Sequence, residues 1–251
     1  MKVLRTPDHR FKNLKDFPFE PNYTNIKDKS GVELRIHHLD EGPKDGPIVL
    51  LMHGQPVWSY LYRKMIPYLT KAGVRIIAPD LVGYGRSDKP SSIEDYTYQT
   101  QVDWMNAWIR QNDFKKLTFF GQDWGGLIGL RVIADNGDRF SGAVISNTGV
   151  PLSRNMDPET HRKIKEFKAS KYVPTTSEFV RAFKKPGPMA FAYWQKWSLN
   201  KKNFPAGLLV APMFEKRTRM QMKISGLFYE LGLEGISPLV SDLEKAYNAP
   251  F

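Results

Sequence analysis

One short segment, GQDWG at residues 121–125, has the residue types and the spacing of a turn that presents a nucleophile. It fits the pattern G-x-nucleophile-x-G, but an aspartate, Asp123, stands where serine is usual. The segment follows a predicted strand and begins a predicted helix. The Asp123 carboxylate is therefore expected at the strand tip, beside a helix N-terminus that favours negative charge. The alternative is that Asp123 only caps this helix.

A second segment, HGQPVWS at residues 53–59, favours the nucleophile interpretation. It comes directly after a buried apolar run, where such an architecture supplies one of two backbone N–H donors for an oxyanion. The two donors are predicted to be the amides of Gln55 and Trp124. His53 is expected to be a buried structural residue beneath the loop rather than a catalytic base.

The elements around these segments alternate between β-rich and helical patterns. Strands are predicted at 32–39, 48–54, 74–80, 116–122 and 140–149, and helices at 60–73, 96–113 and 124–138. Strand–helix–strand units of this length predict an α/β fold with a mostly parallel sheet and helices on both faces. The loops after the strands then lie along one edge of the sheet, where ligands bind in such folds.

The pattern changes after Pro151, and no strong strand run follows. Residues 152–245 are predicted to be mainly helical, with several proline breaks, and to form an inserted cap over the sheet edge. The predicted domains are a core at 1–151, a helical cap at 152–245 and, at 246–251, the start of a return to the core.

Composition excludes several classes of function. The 251 residues include no cysteine, which removes disulfides, thiolate metal sites and cysteine nucleophiles. The net charge is +11, but the basic residues are scattered among acidic and apolar ones and no nucleic-acid-binding module is recognised. The apolar runs are too short to span a bilayer and the N-terminal residues lack a secretory pattern. A cytoplasmic monomer without metal or cofactor is therefore predicted.

Three segments together resemble the haloalkane dehalogenases of the α/β-hydrolase superfamily: HGQPVWSYLYRKMIP, DLVGYGRSDKP and GQDWGG. The similarity covers essentially the whole chain, and the terminal YNAPF resembles the family's closing of the cap. Each motif alone is shared with epoxide hydrolases and other relatives, whereas the combination is specific. The resemblance implies an α/β-hydrolase fold and removal of halide from small apolar haloalkanes.

This chemistry explains why an aspartate stands in the turn. Halide leaves sp3 carbon by in-line attack, and a carboxylate is ionised at neutral pH without a base to activate it. The product is an alkyl ester on Asp123, whose carbonyl carbon is then attacked by water. Only in this second step do the amides of Gln55 and Trp124 stabilise an oxyanion, where one donor contributes roughly 3 kcal/mol.

The departing halide is expected to be held by indole N–H groups, which donate and cannot accept. The resemblance assigns the first of these to Trp124. In one branch of the family the second donor comes from the cap, and in other branches it is an Asn after the His-Gly pair. This sequence has Gln55 at the position of that Asn, which favours a donor from the cap. Gln55 is itself a further candidate for the second donor. Trp194 is preferred to Trp197, for which ordinary packing is the better interpretation. Other aromatic residues are expected to line or support the pocket: Trp58, Phe183, Phe191 and Tyr193.

A base for ester hydrolysis is not evident. The histidines are His9, His37, His38, His53 and His161. The superfamily order is nucleophile, acid, histidine, but only His161 follows Asp123, in a predicted cap helix where an exposed position is expected. The resemblance places both acid and base beyond Phe251, so a C-terminally truncated sequence is expected. Such a chain is predicted to alkylate Asp123 once or to be inactive.

Two other functions stay open. An epoxide hydrolase shares the carboxylate nucleophile but needs cap tyrosines to protonate the opening epoxide, and the candidates are Tyr172, Tyr193 and Tyr229. Gln122 before the nucleophile and Gln55 in the loop favour the dehalogenase. The remaining alternative is a non-catalytic protein that uses the pocket without chemistry.

Overall fold

The computed structural model describes residues 1–149, 157–183, 188–199 and 241–250. Its strands, in chain order, are β1 (Val3–Leu4), β2 (Asn22–Lys27), β3 (Glu33–Glu41), β4 (Ile48–Met52), β5 (Arg75–Pro79), β6 (Lys89–Pro90), β7 (Leu117–Gln122) and β8 (Phe140–Ser146). Within the described residues, six strands form one sheet in the order β2-β3-β5-β4-β7-β8, and β1 pairs with β6. The β2–β3 and β3–β5 pairs are antiparallel, and the remaining pairs of this sheet are parallel. The mostly parallel sheet predicted from the sequence is confirmed.

The helices, in chain order, are α1 (Ile66–Lys71), α2 (Tyr98–Gln111), α3 (Asp123–Asp135), α4 (Pro158–Ala169), α5 (Thr176–Phe183), α6 (Pro188–Leu199) and α7 (Asp242–Asn248). In the ranges that the structure describes, no helix is long and apolar enough to cross a bilayer. The helix predicted at 60–73 is wrong over its first turns, since Ser59–Tyr62 is a 3-10 turn and α1 begins at Ile66. A longer helix would bring the ring of Pro67 against the carbonyl four residues earlier.

Alternate residues of the central strands pack into opposite layers. Leu50 and Met52 of β4 belong to a first core cluster that includes Trp104 and Trp108 of α2. Leu51, which points to the other face, belongs to a second cluster with side chains of α1 and α7. All three β4 residues are fully buried. Because helices cover both faces, the strand is a continuous apolar run rather than an alternating one.

The chain divides into two compact units, Met1–Pro151 with Pro205–Phe251, and Leu152–Phe204. The second unit begins at the residue where the cap was predicted to begin. Its described part consists of α4, α5 and α6. The Phe167 ring of α4 stacks on the Tyr193 ring of α6 with centroids 4.5 Å apart, so an aromatic pair joins these two helices.

Helix α7 belongs to the first unit, although the prediction assigned residues up to 245 to the cap. Three of its apolar side chains are buried in the second core cluster: Leu243, Ala246 and Tyr247. The indole N–H of Trp58 donates to the Ala246 carbonyl at 3.1 Å, and the Arg10 guanidinium donates to the Ala249 carbonyl at 2.9 Å. These bonds attach α7 and the residue that follows it to the N-terminal part of the core.

A buried histidine of β3 makes the stability of the core depend on pH. His38 is 6% exposed, and its ring meets the Trp108 ring edge-on at 5.4 Å. Burial, together with the nearby His37, lowers the pKa of His38 from 6.5 to about 4. The unfolded chain therefore takes up a proton between pH 6.5 and pH 4 that the folded chain does not. Stability is complete above this window and falls as the pH falls through it.

We expect His38→Phe, which keeps an aromatic ring beside Trp108, to remove this acid sensitivity. Between pH 7.5 and pH 5, the unfolding free energy of the unchanged protein should fall by about 2 kcal/mol more than that of the variant. Urea unfolding at the two pH values measures the difference. Equal losses in both proteins would show that His38 titrates normally in the folded state.

Candidate active site

Asp123 lies at the junction of β7 and α3, with a backbone φ of 51°. This left-handed conformation is unfavourable for a residue with a Cβ atom and persists only where surrounding contacts hold it. Two such contacts come from the segment after β8. The Asp123 N–H donates to the Asn147 carbonyl at 3.1 Å, and the Thr148 hydroxyl donates to the Asp123 carbonyl at 2.6 Å. The turn is therefore a sharp bend held from the neighbouring strand.

Two glycines let the surrounding backbone approach this bend closely. A Cβ atom on Gly125 would overlap the carbonyl oxygens of Met52 and His53, at the end of β4. A Cβ atom on Gly54 would overlap the Asp123 carboxylate itself. The loop after β4 thus lies directly against the side chain of Asp123, which accounts for glycine at both positions.

The predicted oxyanion donor and the predicted nucleophile are in direct contact. The Gln55 N–H donates to Asp123 Oδ1 at 2.8 Å. Strands β4 and β7 are parallel neighbours, so the loops that follow them meet at one edge of the sheet. Trp124 follows in the first turn of α3, half-buried, and packs against the first core cluster.

His53 lies fully buried at the end of β4, as predicted. Its Nε2 atom accepts a hydrogen bond from the Leu81 N–H at 3.0 Å, and Nδ1 lies 2.9 Å from the Gly54 carbonyl oxygen. Burial lowers the pKa of the imidazole, against the opposing effect of the Asp80 and Asp123 carboxylates. With both nitrogens engaged, His53 has no free lone pair with which to act as a general base.

The DLVGYGRSDKP segment forms a turn built around buried Asp80. The Asp80 carboxylate accepts from the Ser59 and Arg86 amides at 2.8 Å each and lies 2.7 Å from Nδ1 of His37. Burial by itself would raise the pKa of Asp80, but His37, His53 and the Arg86 amide hold it well below its ordinary value. Asp80 is therefore a structural anion under the loops that surround Asp123.

The histidines, all of which lie in described parts of the chain, supply no partner for Asp123. His9 and His161 are exposed, in a 3-10 turn at Asp8–Phe11 and in α4. The other three are buried. No hydrogen bond joins any of the five to the Asp123 carboxylate. The prediction that acid and base lie beyond Phe251 stays a prediction.

The family model for the α/β hydrolase fold matches residues 47–191, which contain β4, β5, β7 and β8 and the loops around Asp123. The chain belongs to the α/β-hydrolase fold family. A haloalkane dehalogenase of Psychrobacter cryohalolentis is 56% identical over 167 residues, 66% of this chain and 55% of the relative. One from Mycolicibacterium paratuberculosis is 52% identical over 158 residues, covering 63% of this chain and 52% of that protein. The chain of this α/β hydrolase spans about half the length of the curated relatives it matches.

Among solved structures, too, this α/β hydrolase is similar to a haloalkane dehalogenase. The tetrameric haloalkane dehalogenase DpaA of Paraglaciecola agarilytica NO2 is 31% identical, with a TM-score of 0.60, and the match covers 94% of this chain and 78% of that one. The resemblance to haloalkane dehalogenases is confirmed. An epoxide hydrolase of Vigna radiata, at 20% identity and a TM-score of 0.52 over 92% of this chain and 72% of that one, shows the fold alone. The monomeric state predicted for this chain stays a prediction.

The cap residues predicted to hold halide belong to the second unit of the hydrolase. Trp194 lies in α6, but its side chain falls outside what the structure describes. Trp197, in the same helix, is 3% exposed, as expected of a packing residue. Side chains of Phe183 and Phe191 and the whole of Tyr229 also fall outside the described residues. Trp58 is fully buried in the core, and its indole N–H donates to the Ala246 carbonyl; its expected part in the pocket stays a prediction.

Two surface depressions, of about 340 and 680 Å³, are formed largely by the N-terminal segment 8–21, and neither is lined by Asp123 or Gln55. Among the described residues, no group of His, Asp or Glu side chains is arranged to hold a metal ion. The apolar pocket predicted at the nucleophile stays a prediction.

Proposed function

We propose that the protein removes halide from small apolar haloalkanes through an alkyl ester on Asp123. The observation that carries this proposal is the bond from the Gln55 amide to Asp123 Oδ1 at a strained turn that presents a carboxylate. A serine in that turn would need a base to remove its proton, whereas a carboxylate does not. The 56% identity to a haloalkane dehalogenase over residues that include this turn favours halide as the leaving group.

In the first step, an Asp123 oxygen attacks the carbon that bears the halogen. The new C–O bond forms as the carbon–halogen bond breaks, and the halide leaves with the electron pair. Because Gln55 holds Oδ1, the other oxygen, Oδ2, is the attacking atom in this proposal. The indole N–H groups of Trp124 and Trp194 are the proposed donors to the departing halide, with Gln55 and Trp197 as further candidates.

In the second step, water attacks the carbonyl carbon of the ester, and an oxyanion forms on the former carboxylate. Its collapse breaks the acyl C–O bond, which releases the alcohol and restores the carboxylate of Asp123. The amides of Gln55 and Trp124 are the proposed donors to that oxyanion. The reaction needs a general base, and none of the five histidines is hydrogen-bonded to the Asp123 carboxylate. We therefore propose that the 251-residue chain forms the ester much faster than it hydrolyses it.

The tyrosines considered for epoxide opening have other partners where the structure describes them. Tyr193 stacks on Phe167. A hydrogen bond to Glu178 raises the pKa of Tyr172 to about 12, so this hydroxyl is already engaged with a carboxylate of α5. These contacts favour the dehalogenase over the epoxide hydrolase.

Mass spectrometry of the intact protein tests the proposed function. After incubation with 1-bromobutane, we expect one butyl group per chain and one bromide released per adduct. Incubation with 1,2-epoxybutane should give neither a stable adduct nor a diol. A hydroxybutyl adduct or a diol from the epoxide would favour the epoxide hydrolase. The absence of any adduct or bromide release with 1-bromobutane would leave the non-catalytic alternative.

A further inference from the structure

The peptide group between Gly54 and Gln55 is held at both of its polar ends. Its N–H, from Gln55, donates to Asp123 Oδ1 at 2.8 Å. Its carbonyl oxygen, from Gly54, lies 2.9 Å from His53 Nδ1 and also accepts from the Val57 N–H at 3.2 Å. A peptide group is planar, so its C=O and N–H point in opposite directions. Whatever fixes the carbonyl therefore also aims the N–H at the carboxylate.

The backbone after β5 determines which nitrogen of His53 carries the proton. The Leu81 N–H lies 3.0 Å from Nε2, and a backbone N–H group can only donate a hydrogen bond. Nε2 must therefore offer a lone pair, and in the neutral ring the proton is then on Nδ1, facing the Gly54 carbonyl. This tautomer donates to the same peptide group whose N–H contacts Asp123.

The surroundings of His53 keep the ring neutral and in place. The imidazole is fully buried, and the Tyr84 ring meets it edge-on at 5.5 Å. The charged groups that act on it are the carboxylates of Asp80 and Asp123, and burial outweighs both of them in lowering its pKa. Protonation at Nε2 would break the bond from Leu81, because the imidazolium ion has two N–H donors and no acceptor.

We propose that His53 is a positioning residue, which orients the Gly54–Gln55 peptide through its Nδ1–H and so holds the Gln55 amide on the carboxylate of Asp123. The catalytic consequence rests on the proposed function, since it concerns the rate at which Asp123 is alkylated. Loss of the Nδ1–H donor leaves the Gly54 carbonyl held by the Val57 N–H alone, so the peptide is less firmly oriented and the contact that fixes Oδ1 weakens. The geometry of attack by Oδ2 is then less well defined.

Two amide variants separate this role from simple packing. Asn at position 53 places an N–H donor near the site of Nδ1 but leaves the Leu81 amide without an acceptor. Gln places an oxygen near the site of Nε2 and leaves the Gly54 carbonyl without the imidazole donor. Each variant loses one of two buried hydrogen bonds, so their stabilities should be similar.

We expect His53→Asn to alkylate Asp123 with 1-bromobutane within about threefold of the unchanged rate, and His53→Gln to be slower by about tenfold. Intact-mass time courses give both rates, and urea unfolding gives the two stabilities. A Gln variant that reacts as fast as the Asn variant, or faster, would overturn the proposal, because the lost donor would then have no effect on the nucleophile.

Nitrogen-15 NMR of the unchanged protein tests the tautomer without any substrate. The His53 signals are identified as those missing from the His53→Asn spectrum. We expect Nδ1 to carry the proton and Nε2 to carry none at neutral pH. A proton on Nε2 instead would overturn the inference even if the protein dehalogenates. Failure to form an adduct, with the expected tautomer present, would count against the proposed function alone.

Discussion

Asp123→Asn should lower the rate of adduct formation with 1-bromobutane by at least about a thousandfold, because a neutral amide oxygen is a far weaker nucleophile than a carboxylate oxygen. The substitution keeps the shape of the side chain. It also suits the backbone, since asparagine tolerates the left-handed conformation, φ 51°, better than most residues. An effect on the reaction can therefore be attributed to the carboxylate. Intact-mass time courses, with bromide measured in parallel, determine the rate.

Asp135→Asn is the matched control. Asp135 ends the same helix, α3, and its carboxylate accepts from Arg131 and Asn106 rather than from any residue of the Asp123 turn. The control removes the same charge from the same helix and should alkylate at the unchanged rate. Continued adduct formation in Asp123→Asn would show that another residue is the nucleophile, and peptide mapping of the adduct would identify that residue.

The contact between Asp123 and Gln55 could be predicted because both residues follow strands whose apolar runs are visible in the sequence. The two residues are 68 positions apart, and the parallel pairing of β4 with β7 brings them to one edge. The strained turn was predictable too, from the two glycines that flank Asp123. Short sequence patterns are therefore enough to predict that Asp123 and Gln55 meet at the centre of the site.

The role assigned to His53 could not be predicted in the same way. It depends on a backbone amide, that of Leu81, which any residue type would supply. The sequence shows that a histidine follows a buried strand, which suggests burial. It does not show which nitrogen accepts, because that depends on where the loop after β5 passes.

In the fold, too, features set by nearby residues could be predicted from the sequence, whereas features set by contacts between distant residues could not. Strand β2 was missed because it is polar and only Ile26 among its residues is buried. Helix α7 has the spacing of an amphipathic helix, but the sequence does not state which unit it packs on. The bond from Trp58 to Ala246 decides that, across 188 positions. Strand β8 was predicted, yet Val144 and Ile145 are 51% and 44% exposed, since β8 ends the strand order of the described sheet.

Gly54→Ala should slow alkylation by about a hundredfold without unfolding the protein. The backbone at Gly54 lies outside the left-handed region, so alanine is not strained there, but its Cβ atom would overlap the Asp123 carboxylate. Either the carboxylate swings away or the loop retreats, and both movements break the bond from the Gln55 amide. The control, Gly142→Ala, adds the same methyl group in β8 with nothing within 4 Å and should react at the unchanged rate. If Gly54→Ala alkylates as fast as the control, close contact between this loop and Asp123 is not required for the reaction.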